Sequence, residues 1–219
     1  MGGHAAGEIA SRVAVEAVER LVAVTDTVGV DDEWQYPLDR TLGRNANRLN
    51  ASFVAANQSI ASQIDKNPVL QGMGTTAVAV LGRDSPVALA HIGDSRAYLC
   101  RDANLTRLTR DHSWVEEQVR AGKLSVEDAR EHPGRNIVTR ALTGGTNLDV
   151  EVSEVKLNTG DRVLLCSDGL TSVCSDSEIK DALNSGLVLD AICDRLVFHA
   201  NDQGGPDNIT VVVFEIDAV

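Results

Sequence analysis

The sequence predicts an α+β fold in which helices pack on antiparallel sheets, and three observations carry that prediction. Two long segments in the first third repeat apolar residues at the helical period. The middle breaks into short β-branched runs closed by turn residues. Helical and strand-like segments then follow without the regular strand-helix-strand alternation of a parallel sheet.

The first helix is expected over residues 8–24, where Ile9, Val13, Ala17, Leu21 and Val24 recur between glutamates and arginines. Residues 39–64 repeat the signal, with Leu42, Ala46, Leu49, Phe53, Ala56, Ile60 and Ile64 on one stripe. Arg40, Arg44 and Arg48 fall on the opposite side and are expected to form a solvated face rather than one that reads phosphate. After Gly74 the runs "TTAVAVLG", "PVALAHIG", "RAYLC" and "NLTRLTR" are strand-like, separated by Arg83-Asp84-Ser85-Pro86, Gly93-Asp94 and Asp102-Ala103-Asn104. Short strands joined by tight turns indicate antiparallel pairing. Residues 113–131 return to helical, charged composition. Strands are expected at 137–142, 150–157 and 162–166, helices at 177–183 and 189–200, and a last strand at "NITVVVFEI". No repeat, linker or low-complexity segment interrupts residues 1–219, so one domain is expected.

With 219 residues, 43% of them hydrophobic, the chain has enough apolar material for a large core. No apolar run approaches the roughly 20 residues that span a bilayer. The start "MGGHAAGEIA" lacks a basic and an apolar signal region, and Ala6 breaks the myristoylation pattern, so a cytoplasmic protein without a membrane partner is expected. A net charge of −12 argues against a nucleic-acid partner, which needs a basic face to displace counterions. An acidic protein that handles anions needs local positive charge, which a bound metal supplies. Cys100, Cys166, Cys174 and Cys193 show no C-x-x-C and no zinc spacing, and read as reduced, mostly buried thiols. The histidines show no metal spacing either, and His112 reads as structural.

Several familiar sites are excluded by pattern. The chain has no C-x5-R, no D-x-D, no G-x-x-x-x-G-K-[ST] and no H-E-x-x-H. "GMGTTA" matches the dinucleotide fingerprint in form but is followed by a strand where a helix is needed. What remains is acid-rich and glycine-flanked. "HIGDSRAYL", "LLCSDGL" and "GGPDNITVVV" each put an aspartate, Asp94, Asp168 and Asp207, where an apolar strand meets a turn. Each alone reads as a turn residue; together they suggest carboxylates gathered at one sheet edge. Clustered carboxylates repel unless a cation sits among them, and oxygen donors without Cys or His fit Mg²⁺ or Mn²⁺. Two such ions roughly 3.5–4 Å apart hydrolyse phosphoesters without a covalent intermediate.

At these residues the sequence resembles the metal-dependent type 2C (PPM-type) Ser/Thr protein phosphatases, especially their bacterial branch. The matching motifs are "MGGHAAGE", "GMGTTAVAVL", "HIGDSRAYL", "LTRDHS", "LLCSDGL" and "GGPDNITVVV", in family order and over essentially the whole chain. The resemblance implies two stacked antiparallel β-sheets flanked by helices on both outer faces. It implies removal of phosphate from phosphoserine and phosphothreonine, with phosphorylated proteins as substrates and Ser/Thr kinases opposed. By position, Asp168 and Asp207 resemble ligands of a paired Mn²⁺ or Mg²⁺ centre, and Asp94 resembles a ligand of a third, weaker metal shared with Asp168. The segment between "LTRDHS" and "HPGRN" resembles the family's flap.

Three positions qualify the resemblance. The family's opening strands and the Asp-Gly before "MGG" have no counterpart, because the chain starts at the Met of that motif. The domain is therefore expected to be N-terminally incomplete, short of a bridging metal ligand and open at a sheet edge. Ser172 stands where many relatives have an Asp, which is expected to weaken the third site. His4 is read as a helix-entry or exposed residue in preference to a general acid. The leading expectation is a protein Ser/Thr phosphatase using a metal-activated water. The alternative is a catalytically impaired phosphoprotein-binding or regulatory module of the same fold, and a hydrolase of small phosphoesters is more remote.

Overall fold

The computed structural model describes residues 4–26, 36, 38–83 and 85–217, except for the side chains of residues 4 and 5. In chain order the elements are α1 (His4–Val24), α2 (Arg44–Lys66), a 3-10 turn (Pro68–Leu70), β1 (Ala77–Leu81), β2 (Val87–Ile92), β3 (Arg96–Arg101) and β4 (Asn104–Arg107). There follow α3 (Trp114–Arg120), α4 (Val126–Glu131), β5 (Glu151–Val155), β6 (Arg162–Cys166), α5 (Asp168–Thr171), α6 (Asp176–Leu183), α7 (Leu189–Asp202) and β7 (Val211–Glu215). They form two compact units, residues 1–93 with 112–156 and residues 94–111 with 157–219. The α+β class stands, with two antiparallel sheets that each carry helices.

In the first unit the sheet order is β1-β2-β5, with Ala90 opposite both Ala79 and Val152. α2 packs on this sheet and α1 packs on α2. The expected α2 stripe is the core: Ala46, Leu49, Phe53, Ala56 and Ile60 are buried, with Leu42 and Ile64 at its margin. Burying each of the three large side chains stabilises the fold by about 1.5–3 kcal/mol. α1 departs from expectation. It buries Ala10, Ala14 and Ala17, leaves Ile9 and Val13 half-buried and exposes Val24, because small residues let the two helices approach closely.

Two further expectations fail here. Helix α2 starts at Arg44 rather than residue 39, because Asp39 closes a local turn on Thr41 and Asn47 Nδ2 donates to the carbonyls of Asp39, Leu42 and Gly43. Arg48 is not solvated: it is 3% exposed and donates to Val22 O at 2.6 Å and Thr25 Oγ1 at 3.0 Å, with Asp26 at 3.2 Å. Arg44 donates to the carbonyls of Thr25 and Asp26. Together the two arginines satisfy orphan carbonyls at the C-terminal end of α1. Arg40 is exposed, as expected.

Residues 137–142 are not a strand. They touch the β-network only through the isolated bridges Thr75↔Leu142 and Ser113↔Val138, two separate partners along which no ladder can propagate. The charged stretch before them forms α3 and α4, started by the side chains of Ser113 and Ser125.

The second unit has sheet order β4-β3-β6-β7, antiparallel throughout. Alternate residues Tyr98 and Cys100, Leu164 and Cys166, and Val211 and Val213 face a core closed by Leu170, Ile179, Leu183, Ile192 and Leu196. Cys100, Cys166 and Cys174 are buried free thiols and Cys193 is half-buried, so the cysteine expectation holds. Burial pushes the Cys166 thiol up to about 12 and the Cys174 thiol up to about 11. Among the described residues no helix is long and apolar enough to cross a membrane.

Candidate metal centre

The register of the second sheet gathers the three aspartates. Arg96 at the start of β3 pairs with Cys166 at the end of β6, and Cys166 pairs with Val211 at the start of β7. Asp94 lies two residues before the first of these positions, Asp168 two after the second and Asp207 four before the third. All three therefore leave neighbouring strands at the same end of one sheet. The electrostatics agree. Burial, and then the Asp168 carboxylate, push the Asp94 carboxyl up to about 6. Burial, and then the Asp207 carboxylate, raise Asp168. Asp168 thus stands between the other two, acting on Asp94 and acted on by Asp207, while Asp207 is exposed.

Short-range contacts fix this arrangement. Ser167 and Thr210 exchange backbone and side-chain hydrogen bonds, and Ser167 Oγ donates to Asn208 O at 2.9 Å. The Asp168 and Asp207 loops are thereby tied together. Asp168 opens the single helical turn α5, and its carbonyl accepts from Ser172 N–H at 2.8 Å. Ser172 itself is exposed. A β-carbon on Gly169 would stand 2.4 Å from Asn208 O, so only glycine lets the loops approach.

Behind Asp94 runs a network that the sequence did not reveal. Arg96 donates to both Asp111 oxygens, at 2.9 and 2.7 Å, and to Tyr98 Oη at 3.1 Å; Tyr98 Oη donates to Asp176 at 3.0 Å. Asp111 sits inside the noted "LTRDHS" motif, but its partner fifteen residues away could not be read from spacing. The Arg96 guanidinium, held by Asp111, favours the ionised form of both Asp94 and Asp168, although burial dominates each shift.

The donor set fits a divalent cation. Carboxylate oxygens close enough that Asp168 raises Asp94 and Asp207 raises Asp168 are the kind of donor set whose charge a hard ion such as Mn²⁺ or Mg²⁺ neutralises. A second group was missed because its members are far apart in sequence. In the first unit His91, His112 and Glu151 offer ligand atoms within 4.8 Å of one another. His112 stacks on His91 with centroids 4.7 Å apart. Yet Gly93 N–H donates to His112 Nδ1 at 3.1 Å, which leaves the proton on Nε2, facing Glu151 Oε2 at 3.4 Å. With its one lone pair engaged, His112 has none to give a metal. The side chain of His4 lies outside the described residues.

Comparison with known proteins follows the same lines. The family model "Protein phosphatase 2C" matches residues 1–209. The Ser/Thr protein phosphatase PstP of Mycobacterium tuberculosis is 41% identical over 216 residues, which cover 99% of this chain and 39% of that protein. The Ser/Thr phosphatase stp of Listeria monocytogenes is 39% identical over 217 residues, covering 99% of this chain and 82% of that protein. The crystal structure of M. tuberculosis PstP/Ppp superposes with a TM-score of 0.86 at 40% identity, covering 100% of this chain and 86% of that one. A second structure, the PstP catalytic domain in complex with 2 manganese ions, gives 0.84 at 38% identity over 100% and 85% of the two chains.

Proposed function

The chain belongs to the protein phosphatase 2C family, and from that premise we propose that it hydrolyses phosphoserine and phosphothreonine in proteins with Mn²⁺ or Mg²⁺ held by Asp94, Asp168 and Asp207. The observation that carries the reading is the common sheet end from which the three carboxylates leave β3, β6 and β7. The manganese ions of the PstP catalytic domain support the choice of ion. Asp168 and Asp207 hold a paired centre, and Asp94 shares a further ion with Asp168. A bound divalent cation supplies Lewis acidity toward phosphoryl oxygens and toward water. The protein's own part is positional. The Ser167–Asn208 and Ser167–Thr210 bonds keep the two loops in register, and the Asp111 carboxylate holds the Arg96 guanidinium in place near Asp94 and Asp168. The substrates are phosphorylated proteins, and the opposed enzymes are Ser/Thr kinases.

The test is phosphate release from a phosphothreonine peptide and from a small aryl phosphate, each with and without Mn²⁺. Mn²⁺-dependent turnover that favours the peptide is the expected result. Equal or greater turnover of the aryl phosphate would point to a small-phosphoester hydrolase instead. No turnover by folded, Mn²⁺-loaded protein would overturn the enzymatic reading and leave phosphoprotein binding.

A further inference from the structure

The hydrogen bonds that deny His112 to a metal give it another task. Its backbone N–H donates to Gly93 O at 2.9 Å, and its ring Nδ1 accepts from Gly93 N–H at 3.1 Å. One residue thus holds both backbone polar groups of Gly93, and with them the peptide units on either side of its α-carbon. The ring cannot drift: it is buried, stacked on His91, and anchored by Nε2–H toward Glu151, the residue opposite His91 in the β2–β5 ladder. Burial, His91 and Arg140 hold its pKa below the usual histidine value, which keeps the imidazole neutral and Nδ1 an acceptor. Gly93 in turn has φ +102°, and a β-carbon there would stand 2.2 Å from Thr76 Cγ2, so its conformation is set from two sides.

The next residue in the chain is Asp94. We propose that His112 is a positioning residue for the cation site, fixing the Gly93 backbone and with it the point from which the Asp94 carboxylate extends. This rests on the reading of Asp94 as a cation ligand. Groups that orient ligands rather than bind the ion typically change metal affinity by about 10–100-fold when removed.

Two amide variants separate positioning from bulk. In His112→Asn the side-chain oxygen stands where Nδ1 stands and still accepts from Gly93; in His112→Gln the amide nitrogen replaces Nε2–H and the acceptor is lost. Calorimetric titration of the metal-free full chain with Mn²⁺ alone is the measurement. Asp94→Asn is expected to weaken or remove a binding step. His112→Gln is expected to weaken that same step by about tenfold or more. His112→Asn is expected to stay near the unsubstituted affinity, and His112→Gln to add nothing on top of Asp94→Asn. Equal effects of the two amide variants, or none from either, would overturn the positioning role alone. An unchanged titration in Asp94→Asn would instead overturn the reading of the site beneath it. Amide exchange of the unsubstituted, metal-free chain gives an independent test should a variant not fold. Gly93 N–H should exchange as slowly as the β2 amides, and exchange at an open-loop rate would contradict the clamp.

Discussion

At Gly169 the missing β-carbon decides the geometry of the site. The residue after Asp168 is glycine because Asn208 O runs 2.4 Å from where that carbon would be, not because the backbone takes a left-handed turn. We expect Gly169→Ala to cost about 1–3 kcal/mol, since backbone rather than a flexible side chain must move, and to weaken Mn²⁺ binding; thermal unfolding with a metal titration reads both. Asp94 predicts a pH dependence. Its folded pKa, about 6, lies above the ordinary value of 3.8, chiefly through burial and then Asp168. In the metal-free protein the stability it contributes is therefore full below about pH 3.8 and is lost as pH rises through about 6. A cation competes with that proton, so Mn²⁺ affinity should rise across the same interval, and Asp94→Asn should flatten the rise. At this scale the sequence made the three aspartates legible, because strand ends and turn residues mark them. The glycine's reason and Asp111's partner were not legible, because both depend on atoms brought close only by folding.

At the scale of the element, helix α2 shows how far periodicity reaches. Its buried stripe was readable residue by residue, since a 3.6-residue repeat fixes which side chains share a face. The same repeat misassigned Arg48, because a stripe says nothing about a neighbouring helix whose terminal carbonyls need donors. Arg48→Leu should therefore destabilise the protein by about 1–3 kcal/mol, by leaving buried acceptors unmet. Arg40→Leu, at an exposed position, should stay within about 0.5 kcal/mol. Chemical denaturation of the two variants distinguishes a capping arginine from a solvated one. Residues 137–142 failed for a related reason: their apolar, β-branched composition suits a strand, but a strand needs one continuous partner.

At the scale of the whole molecule, the α+β class and the antiparallel pairing were legible because short β-branched runs and tight turns state them directly. The division of the strands between two sheets was not: β2 and β3 are joined by three residues yet belong to different sheets. That division matters for function, since β3, β6 and β7 of one sheet bring Asp94, Asp168 and Asp207 to a common end, while His91 and Glu151 belong to the other. The carboxylates, on this account, bind the cation, and the histidines serve as structure. Anomalous diffraction at the manganese edge from Mn²⁺-soaked crystals tests that claim most directly. The account predicts anomalous peaks beside Asp168, shared with Asp207 or Asp94 and lost in Asp168→Asn, and no peak at His91, His112 and Glu151. Manganese bound at the histidine pair, with none at the three aspartates, would contradict it.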